Sequence, residues 1–261
     1  MKDQLHRFDS GAATDIGKVR SENEDSYLVL PEIGVWAVAD GMGGHEAGSF
    51  ASTTIVDALR NVAAPDSVST LLACCRERLA SANRSLLQVS RDGGGIVVGA
   101  TVAALLACGG YYACVWSGDS RIYLLRHRKI AQISRDHTEV AELIAEGILS
   151  AEEAHTWPRR NVITRAVGVY PELDLEVAQG KLEKDDIFII CSDGLTAHVS
   201  DREILAFASE NPPQSACDLL VALTIERGAI DNVTVIIVHH APHGSTAVSR
   251  QSPARAAPQE R

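Results

Sequence analysis

The chain has 261 residues, 46% of them apolar and 22% charged, with a formal net charge of −10. That length and apolar share bury a sizeable core, in one large domain or two small ones. The negative balance argues against nucleic acid or an anionic membrane surface as partner, and no run of about twenty apolar residues is present to span a bilayer.

The opening "MKDQLHRFDSG" lacks the apolar core of a secretory signal, and residues 1–13 read as an N-terminal extension. "YLVLPEIGVWAVAD" reads as strand, turn, strand. Residues 49–62 carry apolar side chains at helical spacing, and a second helix is predicted over 68–90. "VVGATVAALLA" reads as a buried strand. "YYACVWSGDSRIYLLRHRKIAQIS" reads as a meander: a strand to Trp116, a turn at Gly118-Asp119, a strand to Leu125, a polar turn and a short strand. Helical pattern returns at 139–146 and near Ala151. "DIFIICSDG" is a predicted strand, "DREILAFASE" and "SACDLLVALTIERG" are predicted helices, and "NVTVIIVHH" is the last strand. From Pro242 onward Pro, Ser, Ala and Arg dominate, which predicts a disordered tail over 242–261. Strands that arrive in consecutive runs point to antiparallel sheets with segregated helices, an α+β fold. The six cysteines, Cys74, Cys75, Cys108, Cys114, Cys191 and Cys217, form no CxxC pair. They read as small buried hydrophobes in a reducing, cytoplasmic setting rather than as zinc ligands.

Four aspartates punctuate the strands. Asp40, Asp119 and Asp193 each follow an apolar run, and Asp231 precedes one. Alone, each is an ordinary turn residue. Antiparallel neighbours place the end of one strand beside the start of the next, so the four can converge on one end of a sheet. Their mutual repulsion then calls for a cation, and oxygen ligands suit Mg²⁺ or Mn²⁺. The glycine-rich stretch "ADGMGGHEAG" has no Lys-Ser/Thr pair at its end, so it is no P-loop. No cysteine is followed by an arginine six positions on, so a cysteine-nucleophile phosphate loop is absent as well.

In order, "TDIGKVRSENEDS", "VADGMGGHEAG", "GATV", "SGDSRIYLL", "RDHTEVAELIAEGILSAEEA", "RRNVITRAVG", "CSDGL" and "DNVTVIIV" resemble the motifs of the metal-dependent PP2C-type (PPM) protein serine/threonine phosphatases, compact bacterial form. The resemblance runs from about Thr14 to His239. It implies a sandwich of two antiparallel β-sheets flanked by α-helices on both faces, as one catalytic domain over 14–241 with a flap at about 135–165. It implies two core Mn²⁺ or Mg²⁺ ions and a third, weaker site. Asp40 would bridge the core pair, the Gly41 carbonyl would join it, Asp193 and Asp231 would complete the first ion, and Glu24 and Asp25 would stand near the second. Asp119 with Asp193 would form the third site. Arg20 matches the phosphate-binding arginine. His45 is a candidate proton donor, offset from the position where some members carry one. His155, Arg159 and Arg160 are candidate contacts to substrate. The implied reaction is hydrolysis of phosphoserine or phosphothreonine by direct attack of a metal-bridging hydroxide, with phosphoprotein substrates, an opposing serine/threonine kinase and a monomeric state. Two alternatives accompany it: the phosphatase of a partner-switching anti-sigma antagonist, and a catalytically weak binding module on the same fold.

Overall fold

The computed structural model describes residues 7–63, 66–154 and 156–241. The strands are β1 (Arg7–Asp15), β2 (Asp25–Leu30), β3 (Val35–Met42), β4 (Gly99–Ala100), β5 (Val102–Cys108), β6 (Tyr111–Ser117), β7 (Arg121–Arg126), β8 (Lys129–Gln132), β9 (Glu176–Lys181), β10 (Ile187–Cys191) and β11 (Val233–Ala241). The helices are α1 (His45–Arg60), α2 (Val68–Asp92), α3 (Glu139–Ala145), α4 (Ala151–Ala154), α5 (Asp193–Thr196), α6 (Asp201–Glu210) and α7 (Pro213–Glu226).

Two antiparallel sheets form. One runs β1-β11-β10-β7-β8; the other runs β2-β3-β5-β6-β9, with β4 joined to β3. The central strands are apolar on both faces because each sheet is covered twice, and the two-residue period of a strand sorts its side chains between two cores. In β3, Val35, Ala37 and Ala39 pack against α1 and α2, while Trp36 and Val38 face the other sheet. In β11, Val233, Val235 and Ile237 pack with α6 and α7, while Ile236 and Val238 enter the inter-sheet core with Phe188 and Ile190. Helices therefore cover both outer faces, as the α+β sandwich requires.

Three sequence readings change. Residues 7–13 are no extension: with Thr14 and Asp15 they form β1, paired along its length with β11 from Arg7↔Ala241 to Asp15↔Val233. The predicted β6–β7 hairpin is a crossing instead. β6 pairs with β5 and β9 in one sheet, and β7 pairs with β10 and β8 in the other. Gly118 at the crossing has φ +115°, and a Cβ there would strike the Thr101 side chain, so glycine lets the chain pass. The predicted single strand through "GATV" is split at Thr101, whose N–H bonds the Asp40 carbonyl at 2.8 Å while Gly99 and Ala100 pair with Met42 and Gly41. The tail from Pro242 lies outside the described residues. Among those described, no helix is long and apolar enough to cross a membrane.

Candidate active site

The two sheets present their strand ends at one pole of the sandwich. On one sheet, β2 begins where β3 ends, and Asp25 stands opposite Asp40 in register. On the other, Cys191 of β10 pairs with Val235 of β11, which brings Asp193, just past β10, alongside Asp231, just before β11. Asp119 sits on the crossing between the sheets.

The local sequence braces this pole through groups the motif reading did not single out. The Asp40 N–H donates to Thr101 Oγ1 at 3.0 Å, and that hydroxyl shares a 2.7 Å hydrogen bond with Ser120. The Ser192 hydroxyl donates to Asp25 Oδ2 at 2.8 Å, and the Thr234 N–H donates to Ser192 at 3.0 Å, so one serine ties the two sheets together. Asn232 organises the other side: its side-chain oxygen accepts the Glu24 N–H, and its amide donates to the carbonyls of Ile16 and Glu22, at 2.8–2.9 Å. A Cβ at Gly194 would collide with the Asn232 carbonyl, so only glycine lets the chain after Asp193 come this close to the Asp231 loop. His137 is buried; its Nδ1 accepts the Gly118 N–H at 3.1 Å, and its own N–H donates to the Gly118 carbonyl at 3.0 Å. Nε2 therefore carries the ring proton, 3.2 Å from Glu176 but off the line of a good hydrogen bond, and burial lowers the basicity of the ring.

The carboxylates are held under electrostatic stress. Burial, followed by the charges of Asp193 and Asp231, pushes Asp25 up to about 7 against the opposing hydrogen bond from Ser192. Burial and Asp193 push Asp119 up to about 8. Asp40 is half-buried as a residue, yet protein surrounds its carboxyl, and burial plus Asp25, Asp193, Asp119 and Asp231 raise it well above the ordinary range. Asp193 is raised by burial and then by Asp231, and shares a hydrogen bond with Asp40. Among the described residues, two buried carboxylate oxygens, Asp25 Oδ1 and Asp119 Oδ1, have no hydrogen-bond partner.

A divalent cation fits this chemistry. The donors are hard oxygens, two are orphaned, and the charge repulsion is the kind a cation relieves. No three His, Cys, Asp or Glu side chains among the described residues close on one point as a finished shell. Mg²⁺-like ions ordinarily keep several waters and take only one or two carboxylates each.

Arg20 reaches Asp231 Oδ2 at 2.8 Å and stays half exposed. Glu24 accepts the Gly41 N–H through its backbone carbonyl and lines, with Arg20, Gly41, Met42, Gly43 and Gly44, a cleft of about 380 Å³. A second cleft of about 660 Å³ opens on the other side, over Asp119, Asp193 and Asp231, and Arg160 lines it. The structure thus brings Arg20, Glu24, Asp25, Asp40, Gly41, Asp119, Asp193 and Asp231 to one pole, with Arg160 on the cleft wall. Arg159 is not brought to the cleft; its guanidinium pairs with Glu139 at 2.9 Å. His45 opens α1, directly after Gly44 at φ +87°, but its side chain lies outside the described structure, as does the whole of His155.

The family description Protein phosphatase 2C matches residues 18–217. This chain belongs to the protein phosphatase 2C family. Serine/threonine protein phosphatase PstP of Mycobacterium tuberculosis is 36% identical over 227 residues, covering 87% of this chain; the chain spans 44% of that relative's length. The structure of PppA, described as a key regulatory component of T6SS in Pseudomonas aeruginosa, superposes with a TM-score of 0.82 at 40% identity, covering 88% of this chain and 96% of that one. The catalytic domain of PstP in complex with two manganese ions superposes with a TM-score of 0.79 at 32% identity, covering 90% and 99%. PP2C membership accounts for the double-sheet sandwich.

Proposed function

We propose that this PP2C chain hydrolyses phosphoserine and phosphothreonine in proteins, opposing a serine/threonine kinase, with Mn²⁺ or Mg²⁺ held at the carboxylate pole. The observation that carries the reading is the gathering of five buried or half-buried aspartates from both sheets at one pole, two of them with oxygens that have no hydrogen-bond partner among the described residues. Asp40, Asp193 and Asp231 would hold one ion, Asp40 and the Gly41 carbonyl a second, with Glu24 and Asp25 beside it; Asp119 and Asp193 would serve a third, weaker site. Divalent ions there supply an activated water and offset the charge of the phosphoryl group.

The chain's own residues do the rest. Arg20 holds a planar fork of donors at the rim, suited to two phosphoryl oxygens, and its Asp231 partner keeps it oriented toward the pole. Thr101 and Asn232 fix the backbone of Asp40 and Glu24, and Ser192 fixes the Asp25 carboxylate, so little reorganisation accompanies the rise of charge in the transition state. His45, one residue past Gly44, is assigned as proton donor to the departing serine or threonine oxygen. Arg160, on the cleft wall, faces the substrate segment.

The test is phosphate release from a phosphothreonine peptide with Mn²⁺, with EDTA, and with Asp193→Asn. Release is expected only in the first case; release indifferent to all three sinks the mechanism. Arg20→Ala is expected to raise KM for the peptide about tenfold or more while Mn²⁺ binding, followed calorimetrically, persists.

A further inference from the structure

The 660 Å³ cleft has walls unlike its floor. Asp119, Asp193 and Asp231 make the floor, whereas Val140, Ala141 and Ile144 of α3 line one wall and Ala197 and Ile230 the other. Ile144 is 38% and Ile230 60% exposed, although both are large aliphatic side chains. Four of the polar residues along the same walls, Arg121, Asp136, Thr138 and Thr196, are already engaged inside the protein. The Arg121 guanidinium grips both oxygens of Asp136 at 2.7–3.0 Å. The Thr138 hydroxyl accepts the Ala141 N–H, and the Thr196 hydroxyl donates to the Asp193 carbonyl, each at 3.2 Å. Beyond its floor, the cleft therefore offers an occupant aliphatic surface from Val140, Ala141, Ile144, Ala197 and Ile230, beside Arg160 and Asn161.

Position narrows the occupant. Ile230 immediately precedes Asp231, and an extended chain advances about 3.3–3.6 Å per residue. A peptide with its phosphoryl group over the floor lays its next one to three residues along this wall. The volume lies within the range of ordinary ligand sites, with room for side chains beside the phosphorylated one. We propose, resting on the phosphatase reading above, that Ile144, Ile230 and Val140 form a specificity subsite selecting phosphoprotein segments with an aliphatic side chain within about three residues of the phosphorylated serine or threonine.

The experiment uses the full chain with Mn²⁺ and phosphothreonine peptides differing at one position, three residues either side, as Leu, Ala, Arg or Glu. Leu is expected to exceed Ala about tenfold in kcat/KM at one or more positions, through KM. Ile144→Ser and Ile230→Ser are expected to bring the Leu/Ala ratio close to one, and Ile144→Leu to keep it. Because the ratio compares two peptides on one enzyme, a general loss of activity cancels. p-Nitrophenyl phosphate, which has no flanking residues, reports the chemistry separately. Turnover of it and of all peptides at equal rates overturns the subsite and leaves the phosphatase reading standing. A preference for Arg or Glu over Leu also overturns the subsite. No turnover of any compound overturns the phosphatase reading, and the Leu/Ala ratio of peptide affinities by fluorescence anisotropy then decides the subsite.

Discussion

At the scale of single residues, the groups that act and the groups that hold them differ in legibility. Asp40, Asp119, Asp193 and Asp231 stand out in the sequence because each borders an apolar run, the first three after it and Asp231 before it. Thr101, Ser192 and Asn232 do not, because their importance lies in partners distant along the chain: Thr101 meets Asp40 and Asn232 meets Glu24. The only sequence signal is adjacency, since Ser192 and Asn232 each neighbour a site aspartate. The weight of these partners is testable at Thr101. Valine keeps the shape but removes the acceptor of the Asp40 N–H and the partner of Ser120. A buried polar group left unpaired costs about 1–3 kcal/mol. At about 2–4 °C per kcal/mol for a domain of this size, Thr101→Val is expected to lower the Tm by roughly 2–12 °C in EDTA. Thr101→Ser, which keeps the hydroxyl, is expected to lose less. Equal Tm values for the valine variant and the parent would remove Thr101 from the supporting network.

At the scale of elements, the strands missed, β1 and β9, are both edges, whereas β2 and β8, also edges, carry enough apolar residues or turn signal to read as strands. "RFDSGAATD" and "EVAQGK" have few large apolar residues, so the pattern that betrays a strand is thin. The β6–β7 crossing was misleading for another reason: "SGDS" suits a hairpin turn, and nothing local reports that the two strands join different sheets. The helical pattern of the flap was legible, but its closure was not. Thr138 bridges to Ile163, and Glu139 receives both Trp157 Nε1 at 3.2 Å and Arg159 at 2.9 Å, so one carboxylate clasps the two arms. Arg159 is therefore expected to act through Glu139. Glu139→Ala and Arg159→Ala should speed amide exchange over 139–164 by about tenfold or less, since a half-exposed pair contributes at most about 1 kcal/mol. Exchange in β10 and β11 should stay unchanged, and the double variant should match Glu139→Ala. A rise in peptide KM confined to Arg159→Ala would return Arg159 to direct substrate contact.

At the scale of the whole molecule, the sandwich joins two sheets by crowding their negative ends together. The inter-sheet core of Trp36, Leu105, Phe188 and Ile236 holds the sheets in contact, while Asp25 and Asp40 on one sheet repel Asp193 and Asp231 on the other. This opposition gives the metal-free protein a definite pH dependence. In the unfolded chain these carboxylates ionise near the ordinary 3.8; in the fold Asp25 is pushed up to about 7 and Asp119 up to about 8. Between those limits the folded state binds more protons than the unfolded one, so stability is greatest below about pH 4 as far as these groups are concerned and falls as pH rises through 7 and 8. In EDTA, the Tm is expected to drop from pH 5 to pH 8, and Asp119→Asn, which removes one of the stressed charges, should flatten the drop. Mn²⁺ requires the carboxylates ionised, so its stabilisation should run the other way, larger at pH 8 than at pH 5. At a hundredfold excess over Kd the gain is about 2.7 kcal/mol for one site, or roughly 5–11 °C at 2–4 °C per kcal/mol. Thermal denaturation across that pH range with and without Mn²⁺ checks both slopes. A metal-free Tm that rises from pH 5 to pH 8 in the parent, unaltered by Asp119→Asn, would mean that the acidic pole is not what strains the junction of the two sheets.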